Sequence, residues 1–133
     1  LKVVDLKTGK KVDFPGDEGR VKIIEFWATW CPACLASFKS VNRRLPELKK
    51  TGVDFISISD ETEAVLKNHF KNNYPDFSVY RETSEGEGFQ NYMVTALPTI
   101  FVIDKKGRIA YVALGAGEYL NEAIGIATKL TKN

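Results

Sequence analysis

The stretch Trp30-Cys31-Pro32-Ala33-Cys34 lies between two runs of different periodicity. Before it, Val21 to Trp27 is apolar at almost every position, as a central strand covered on both faces should be. After it, Leu35, Phe38, Val41, Leu45 and Leu48 recur at spacings of three and four, which marks an amphipathic helix from Cys34 to about Lys50. The two cysteines therefore fall where a strand ends and a helix begins. Unpaired N–H groups and the helix dipole favour negative charge there, so a thiolate forms more readily than in water. Two cysteines three apart on a first helical turn can also close a disulfide with little backbone movement. They are the only cysteines in the chain, and the pair reads as a redox site.

The bulk composition narrows the class without choosing a function. At 133 residues the chain is one domain, residues 1–133, with enough length for a real core. Hydrophobic residues at 44% and charged residues at 27% describe a globular protein. A net charge of +2 is too small to argue for nucleic acid or an anionic membrane as partner. No run approaches the ~20 apolar residues of a membrane span. The chain begins at Leu1 without a signal-like segment, so a processed product is expected, any export signal or anchor having preceded it. Two cysteines suit a catalytic pair in any compartment, or a staple in an oxidising one.

Working outward from the cysteines, the remaining elements follow from turn and period signals. Leu1 to Leu6, the turn Lys7-Thr8-Gly9-Lys10 and Lys11 to Phe14 make an N-terminal hairpin, with Gly9 at positive φ. Pro15 to Arg20 is a polar loop. Pro46 should kink the first helix or start a second segment. Val53 to Ser59 is a strand, Asp60 an N-cap, and Glu61 to Asn72 a helix with Leu66 and Phe70 inward. Phe77 to Tyr80 is a short strand, Ser84 to Gly88 a turn, and Phe89 to Met93 one or two helical turns. Pro98–Ile103 and Arg108–Leu114 are strands joined by Asp104-Lys105-Lys106-Gly107, and Leu120 to Leu130 is a closing helix. The βαβ units imply parallel strands with right-handed crossovers and the late hairpin adds antiparallel ones, giving an α/β mixed sheet with helices on both faces.

Two segments about 65 residues apart resemble the thioredoxin superfamily (spacing as counted along the chain). Phe26-Trp27-Ala28-Thr29-Trp30-Cys31-Pro32-Ala33-Cys34 is similar to its active-site segment. Ala96-Leu97-Pro98-Thr99-Ile100-Phe101-Val102-Ile103-Asp104, followed by Lys106-Gly107-Arg108-Ile109, is similar to its cis-proline strand and hairpin. The N-terminal hairpin, the αβ insertion between Asp60 and Tyr80, and Tyr92-Met93-Val94 narrow the resemblance to the TlpA/ResA-like branch of thiol–disulfide oxidoreductases. The fold so implied is a thioredoxin-like three-layer α/β/α sandwich with a mixed central sheet and an N-terminal β-hairpin.

Cys31, the more exposed sulfur by its N-terminal position, is the candidate nucleophile, and Cys34, one turn into the helix, the resolving thiol. Attack on a client disulfide gives a mixed disulfide that the second thiol then releases. A permanent disulfide or half of a zinc site is the bland alternative. A zinc site needs two more ligands, and the chain has no third cysteine and one histidine, His69, on a polar helix face. Pro32 and Ala33, between the thiols, help set the potential in this family. Glu25 is a carboxylic acid in an otherwise apolar strand, costly if ionised and unpaired, so its pKa should be raised. The resemblance makes it the acid that exchanges a proton with Cys34; the bland alternative is a strand-end carboxylate in water or an ion pair. A departure from thioredoxin is that Val53–Ser59 carries no lysine to accompany that acid. The resemblance also makes the Leu97–Pro98 bond cis, with the Leu97 backbone, Pro98 and Thr99 beside an extended substrate and Trp30 as an apolar contact for it. Trp27 is assigned to the core, Gly86-Glu87-Gly88 to a turn, and the basic residues Lys39, Arg43, Arg44, Lys49 and Lys50 to the wet face of the helix.

The function expected is thiol–disulfide oxidoreduction on cysteine-containing client proteins through a Cys31/Cys34 cycle, with no cofactor and no metal. The resemblance implies a reductase outside the cytoplasm, periplasmic or membrane-anchored, fed by a membrane or thioredoxin-type electron donor; a cytoplasmic setting is the alternative, and a monomer is expected. Pro-Ala between the cysteines and Thr99 after Pro98 stand where members specialised for cytochrome c maturation carry acids. A peroxiredoxin-like thiol peroxidase and a metal-binding or metallochaperone module are the competing functions.

Overall fold

The structure, a computed structural model, describes residues 1–14, 16, 19–83 and 87–132. One seven-stranded sheet takes β1 (Lys2–Asp5), β2 (Lys11–Asp13), β3 (Val21–Phe26), β4 (Val53–Ser59), β5 (Ser78–Glu82), β6 (Thr99–Ile103) and β7 (Ile109–Leu114) in the order β2-β1-β5-β4-β3-β6-β7. β3, β4 and β5 are parallel, while β1, β2, β6 and β7 add antiparallel pairs at the two sides. The N-terminal hairpin is thus not an appendage: β1 pairs with β5 as well as with β2. The helices are α1 (Pro32–Thr51), α2 (Glu63–Phe70), α3 (Glu87–Asn91) and α4 (Glu118–Leu130).

The two parallel crossovers β3–α1–β4 and β4–α2–β5 move across the sheet in the same direction, and right-handedness puts both helices on one face. α4 joins them there. Their buried residues, among them Phe38, Val41, Leu48, Leu66, Leu120 and Ile124, form one core with Ile23, Trp27, Ile100 and Val102 of the sheet side. The opposite face buries Ile24, Phe26, Ile58, Phe101 and Ile103 under Phe89, Tyr92 and Val94 of α3 and the segment after it, with Val3, Phe14 and Leu1 from the N-terminal strands. Among the described residues the sandwich is three-layered and lopsided, with one layer of three helices and one of a single short helix.

Several boundaries differ from those read off the sequence, each for a local reason. α1 begins at Pro32 rather than Cys34, because Pro at the first helical position lacks only an N–H that would be unpaired there. It runs without interruption through Pro46 to Thr51, and Gly52 at φ 83° closes it. The N-cap of α2 is Thr62, whose hydroxyl accepts the N–H of Val65 at 3.3 Å, not Asp60. Glu61 has been drawn away from the helix by Thr29 and Ser59, so the helix starts two residues late. It ends at Phe70 because Lys71 and Asn72 both take positive φ. Of the turn expected over Ser84–Gly88, Ser84 to Gly86 lie outside the described residues, as do Pro15, Asp17 and Glu18 of the polar loop.

Thr62→Ala should cost about 1 kcal/mol of stability, the usual worth of an N-cap hydroxyl, read from the midpoint of urea unfolding at unchanged slope.

Candidate active site

The site is built on the junction of β3 and α1. β3 is hydrogen-bonded on both sides, to β4 and to β6, so its last residue, Phe26, is fixed between Ile58 and Thr99. Beyond it the Trp27 amide still donates to the Ile58 carbonyl at 3.1 Å. The Trp27 ring is fully buried and packs on Phe38 of α1, centroids 4.6 Å apart, and on Phe70 and His69 of α2 at 5.7 and 5.8 Å. Exposed His69 is thus occupied as a ring lying against the edge of the core.

Between Trp27 and Cys31 the chain makes a tight turn whose exposed side is clamped by Glu61. The Thr29 amide and hydroxyl donate to its two carboxylate oxygens at 2.8 and 2.7 Å, and the Ser59 hydroxyl donates to the first of them at 2.9 Å. Cys31 then serves as N-cap of α1. Its amide donates to Ala28 O, its carbonyl accepts from Leu35, and its Sγ accepts the Cys34 amide at 3.2 Å. That amide and the helix dipole stabilise negative charge on Cys31 Sγ once the disulfide opens.

Cys31 and Cys34 are joined in a disulfide, Cα atoms 5.3 Å apart. The expected difference in exposure is small: Cys31 is 4% exposed and Cys34 0%. What surrounds them is open, with Trp30 72% exposed and Pro32 and Ala33 also at the surface.

The second segment arrives from β6. Thr99 pairs with Phe26, which brings the preceding Leu97–Pro98 bond to the cysteine end of the sheet, and that bond is cis. Leu97 is half-buried against the core cluster that contains both cysteines, and Pro98 is buried. Thr99, expected beside the substrate, does not offer its side chain to one. It is 1% exposed and its hydroxyl donates to the Ala96 carbonyl at 2.5 Å, so it braces the turn around Pro98 instead.

Glu25 is fully buried, on the sheet face that α1 covers. Its Oε1 accepts a 2.5 Å hydrogen bond from the Ser37 hydroxyl, while Oε2 has no hydrogen-bond partner among the described residues. Burial pushes its carboxyl up to about 8, against a smaller downward pull from Ser37. The carboxyl is therefore mostly neutral at pH 7 and ionises within reach of physiological pH. Among the described residues no group of three or more His, Cys, Asp or Glu could hold a metal ion.

Ser37, Glu61 and Ser59 are not among the site residues expected from the sequence. Ser37 had a signal: it is a polar residue on the apolar strip, three positions after Cys34. The Glu61 clamp had none, since 32 residues separate it from Thr29.

Fold and site together define a thioredoxin-fold protein with a dithiol–disulfide pair at a helix N-terminus. The redoxin family pattern matches residues 3–124, and the chain belongs to that family, as a TlpA/ResA-like member of the thioredoxin superfamily. It is similar to the thiol-disulfide oxidoreductase ResA of Bacillus thuringiensis subsp. konkukian, with 36% identity over 108 residues covering 80% of this chain and 61% of the relative. The sporulation thiol-disulfide oxidoreductase A of Bacillus subtilis is 29% identical over 112 residues, covering 80% and 66%. Among solved structures, the pneumococcal exposed lipoprotein thioredoxin Etrx1 of Streptococcus pneumoniae superposes with a TM-score of 0.81 at 25% identity, over 97% of each chain. The chain spans about three fifths of the length of ResA-type relatives such as the first.

The raised acid makes stability depend on pH with a definite sign. Unfolded, Glu25 ionises near 4.5; folded, near 8; so between those values the native state binds more protons and loses stability as pH rises. Glu25→Gln should remove that slope. Its stability relative to wild type should rise between pH 4 and pH 9, by at most roughly 5 kcal/mol, as measured by urea unfolding across that range.

Proposed function

We propose that the protein is a thiol–disulfide oxidoreductase that acts on disulfides of client proteins by cycling Cys31 and Cys34 between dithiol and disulfide. The observation that carries this is the Cys31–Cys34 disulfide at the N-terminus of α1, with Cys31 Sγ receiving an amide N–H and exposed Trp30, Pro32 and Ala33 around it. In the reducing direction Cys31 thiolate attacks a client disulfide, one client sulfur leaves as thiolate, and a mixed disulfide forms. Cys34 then attacks Cys31 Sγ; its proton passes to the Glu25 carboxylate and the second client sulfur leaves with the electron pair of the broken bond. Beside Pro98, Leu97 presents its backbone to an extended client segment, and Trp30 gives it an apolar contact.

Reduction outside the cytoplasm, with electrons from a membrane or thioredoxin-type donor, is the setting we favour. Similarity to ResA-named relatives and to an exposed lipoprotein supports it. We further propose that the protein works as a monomer without cofactor. No observation favours a peroxidase or a metallochaperone over this reading.

Cys31→Ser should abolish thiol-dependent reduction of a model protein disulfide, while Cys34→Ser should accumulate mixed disulfides visible by non-reducing electrophoresis. Equal trapping by both variants would overturn the division of roles. Peroxide consumption that survives Cys34→Ser, or copper or zinc retained by the reduced protein through gel filtration, would move the assignment to one of the competing functions. Glu25→Gln should slow resolution of the mixed disulfide near neutral pH by about 100-fold, the low end of general acid–base contributions.

A further inference from the structure

We propose that Ser37 is a positioning residue for the dithiol cycle, holding Glu25 by one carboxylate oxygen so that the other exchanges the proton of Cys34. This rests on Glu25 being the acid that serves Cys34. Three features of the structure lead to it.

The first is what the Ser37 hydroxyl does. Serine and threonine inside helices commonly point to solvent or turn back to the carbonyl four residues earlier. Ser40 does so in the same helix, donating to Ala36 O at 3.4 Å, and Thr128 does so in α4, donating to Ile124 O at 2.8 Å. Ser37 donates across the layer to Glu25 Oε1 at 2.5 Å. The second is where it stands. Ser37 is 1% exposed and lies three residues after Cys34, one turn along the buried strip that continues through Val41 and Leu48. A hydroxyl there is costly in an apolar layer unless it serves a partner. The third is the asymmetry of the carboxyl: Oε1 is engaged and Oε2 is buried with no partner among the described residues.

The surroundings of Glu25 leave little else to tune it. β4 brings Ser57 alongside, whose hydroxyl donates to Ser78 O, and β6 brings Ile100. α4 contributes Leu120, Ala123 and Ile124 to the same core. On β3 itself Lys22 lies on the other face of the strand by alternation, and its Nζ donates to Arg20 O. Among the described residues, that core cluster contains Cys31 and Cys34 of the α1 N-terminus, with Tyr74 and Tyr111 packed against its edge and His69 against Trp27. A hydrogen bond from Ser37 favours the ionised carboxyl, because a donor binds a charged acceptor more strongly than a neutral one. Ser37 thereby keeps Glu25 able to take the proton near neutral pH. In the resolving step Cys34 loses its proton to Oε2 and its sulfur bonds Cys31 Sγ. The Cys31–client bond breaks, and the client sulfur leaves with the electron pair.

The test is the pH profile of mixed-disulfide resolution in single turnover. The probe is the wild-type dithiol protein rapidly mixed with a symmetric peptide disulfide whose two halves carry the same chromophoric thiol, so that the first release reports attack by Cys31 and the second reports resolution by Cys34. Ser37→Ala should move the midpoint of the profile upward by about one pH unit, the difference between hydrogen bonds to charged and neutral acceptors. Ser37→Thr should restore it, and Ser37→Ala should add nothing in a Glu25→Gln background. An unmoved midpoint in Ser37→Ala, with the profile still abolished by Glu25→Gln, overturns the role of Ser37 and leaves Glu25 standing. A Ser37 effect that persists in the Glu25→Gln background also overturns it. If Glu25→Gln leaves the profile unchanged, the proton role of Glu25 itself fails.

Discussion

The turn from Trp27 to Cys31 is held from both ends and from above, and the chemistry rests on that constraint. Below it, β3 is pinned in register between β4 and β6, and the Trp27 amide extends the ladder by one more bond to Ile58. At its far end Cys31 caps α1, and the Trp27 ring wedges beneath that helix. Above, Glu61 grips Thr29 by backbone and side chain at once. These independent ties hold the five residues between strand and helix, Trp27 to Cys31, in place. Cys31 Sγ is thereby delivered to the helix N-terminus without the helix having to move. Charge-assisted bonds to Thr29 and Ser59 are stronger than neutral ones, which suits a clamp on a surface turn.

Glu25 imposes the opposite kind of constraint, an unfavourable one. A carboxyl under α1 costs free energy to ionise, and the structure offers it one hydroxyl rather than a cation. A lysine or arginine there would drop its pKa and leave a permanent carboxylate. A hydroxyl leaves it near the point where gain and loss of a proton are balanced. The absence of lysine from Val53–Ser59 is thus of a piece with Ser37 in α1, since the proton affinity is set by burial and a neutral donor.

The sequence made the fold legible where its signals were local and periodic. Val21–Phe26, the amphipathic face of α1, the Gly107 hairpin and α4 all announce themselves within a few residues. Glu25 was legible because a charge inside an apolar strand is conspicuous. What was not legible depends on partners brought from afar. Asp60 looks like the better cap for α2, but Thr62 takes that place while Glu61 is bound to Thr29 across the β3–α1 turn. Thr99 looks like a substrate contact beside Pro98 until β6 seats it against Phe26 and its hydroxyl turns to Ala96. The N-terminal hairpin reads as a hairpin, but that β1 joins β5 cannot be inferred from either strand alone.

Both sulfurs being almost covered while their rim is open bears on how a client is chosen under the proposed cycle. A small thiol and a protein disulfide need the same sulfur, so access to Cys31 alone discriminates little. Trp30, Pro32 and Ala33 stand out from the surface, and the backbone before Pro98 lies at the same end of the sheet. A client segment that runs extended along that backbone gains main-chain hydrogen bonds of low sequence specificity and an apolar contact with Trp30. It brings its disulfide to Cys31 without requiring a pocket. Such a surface selects for extended, exposed cystines more than for any particular sequence around them. That makes the order of events depend on client unfolding, since a cystine held inside a folded core presents neither the strand nor the sulfur.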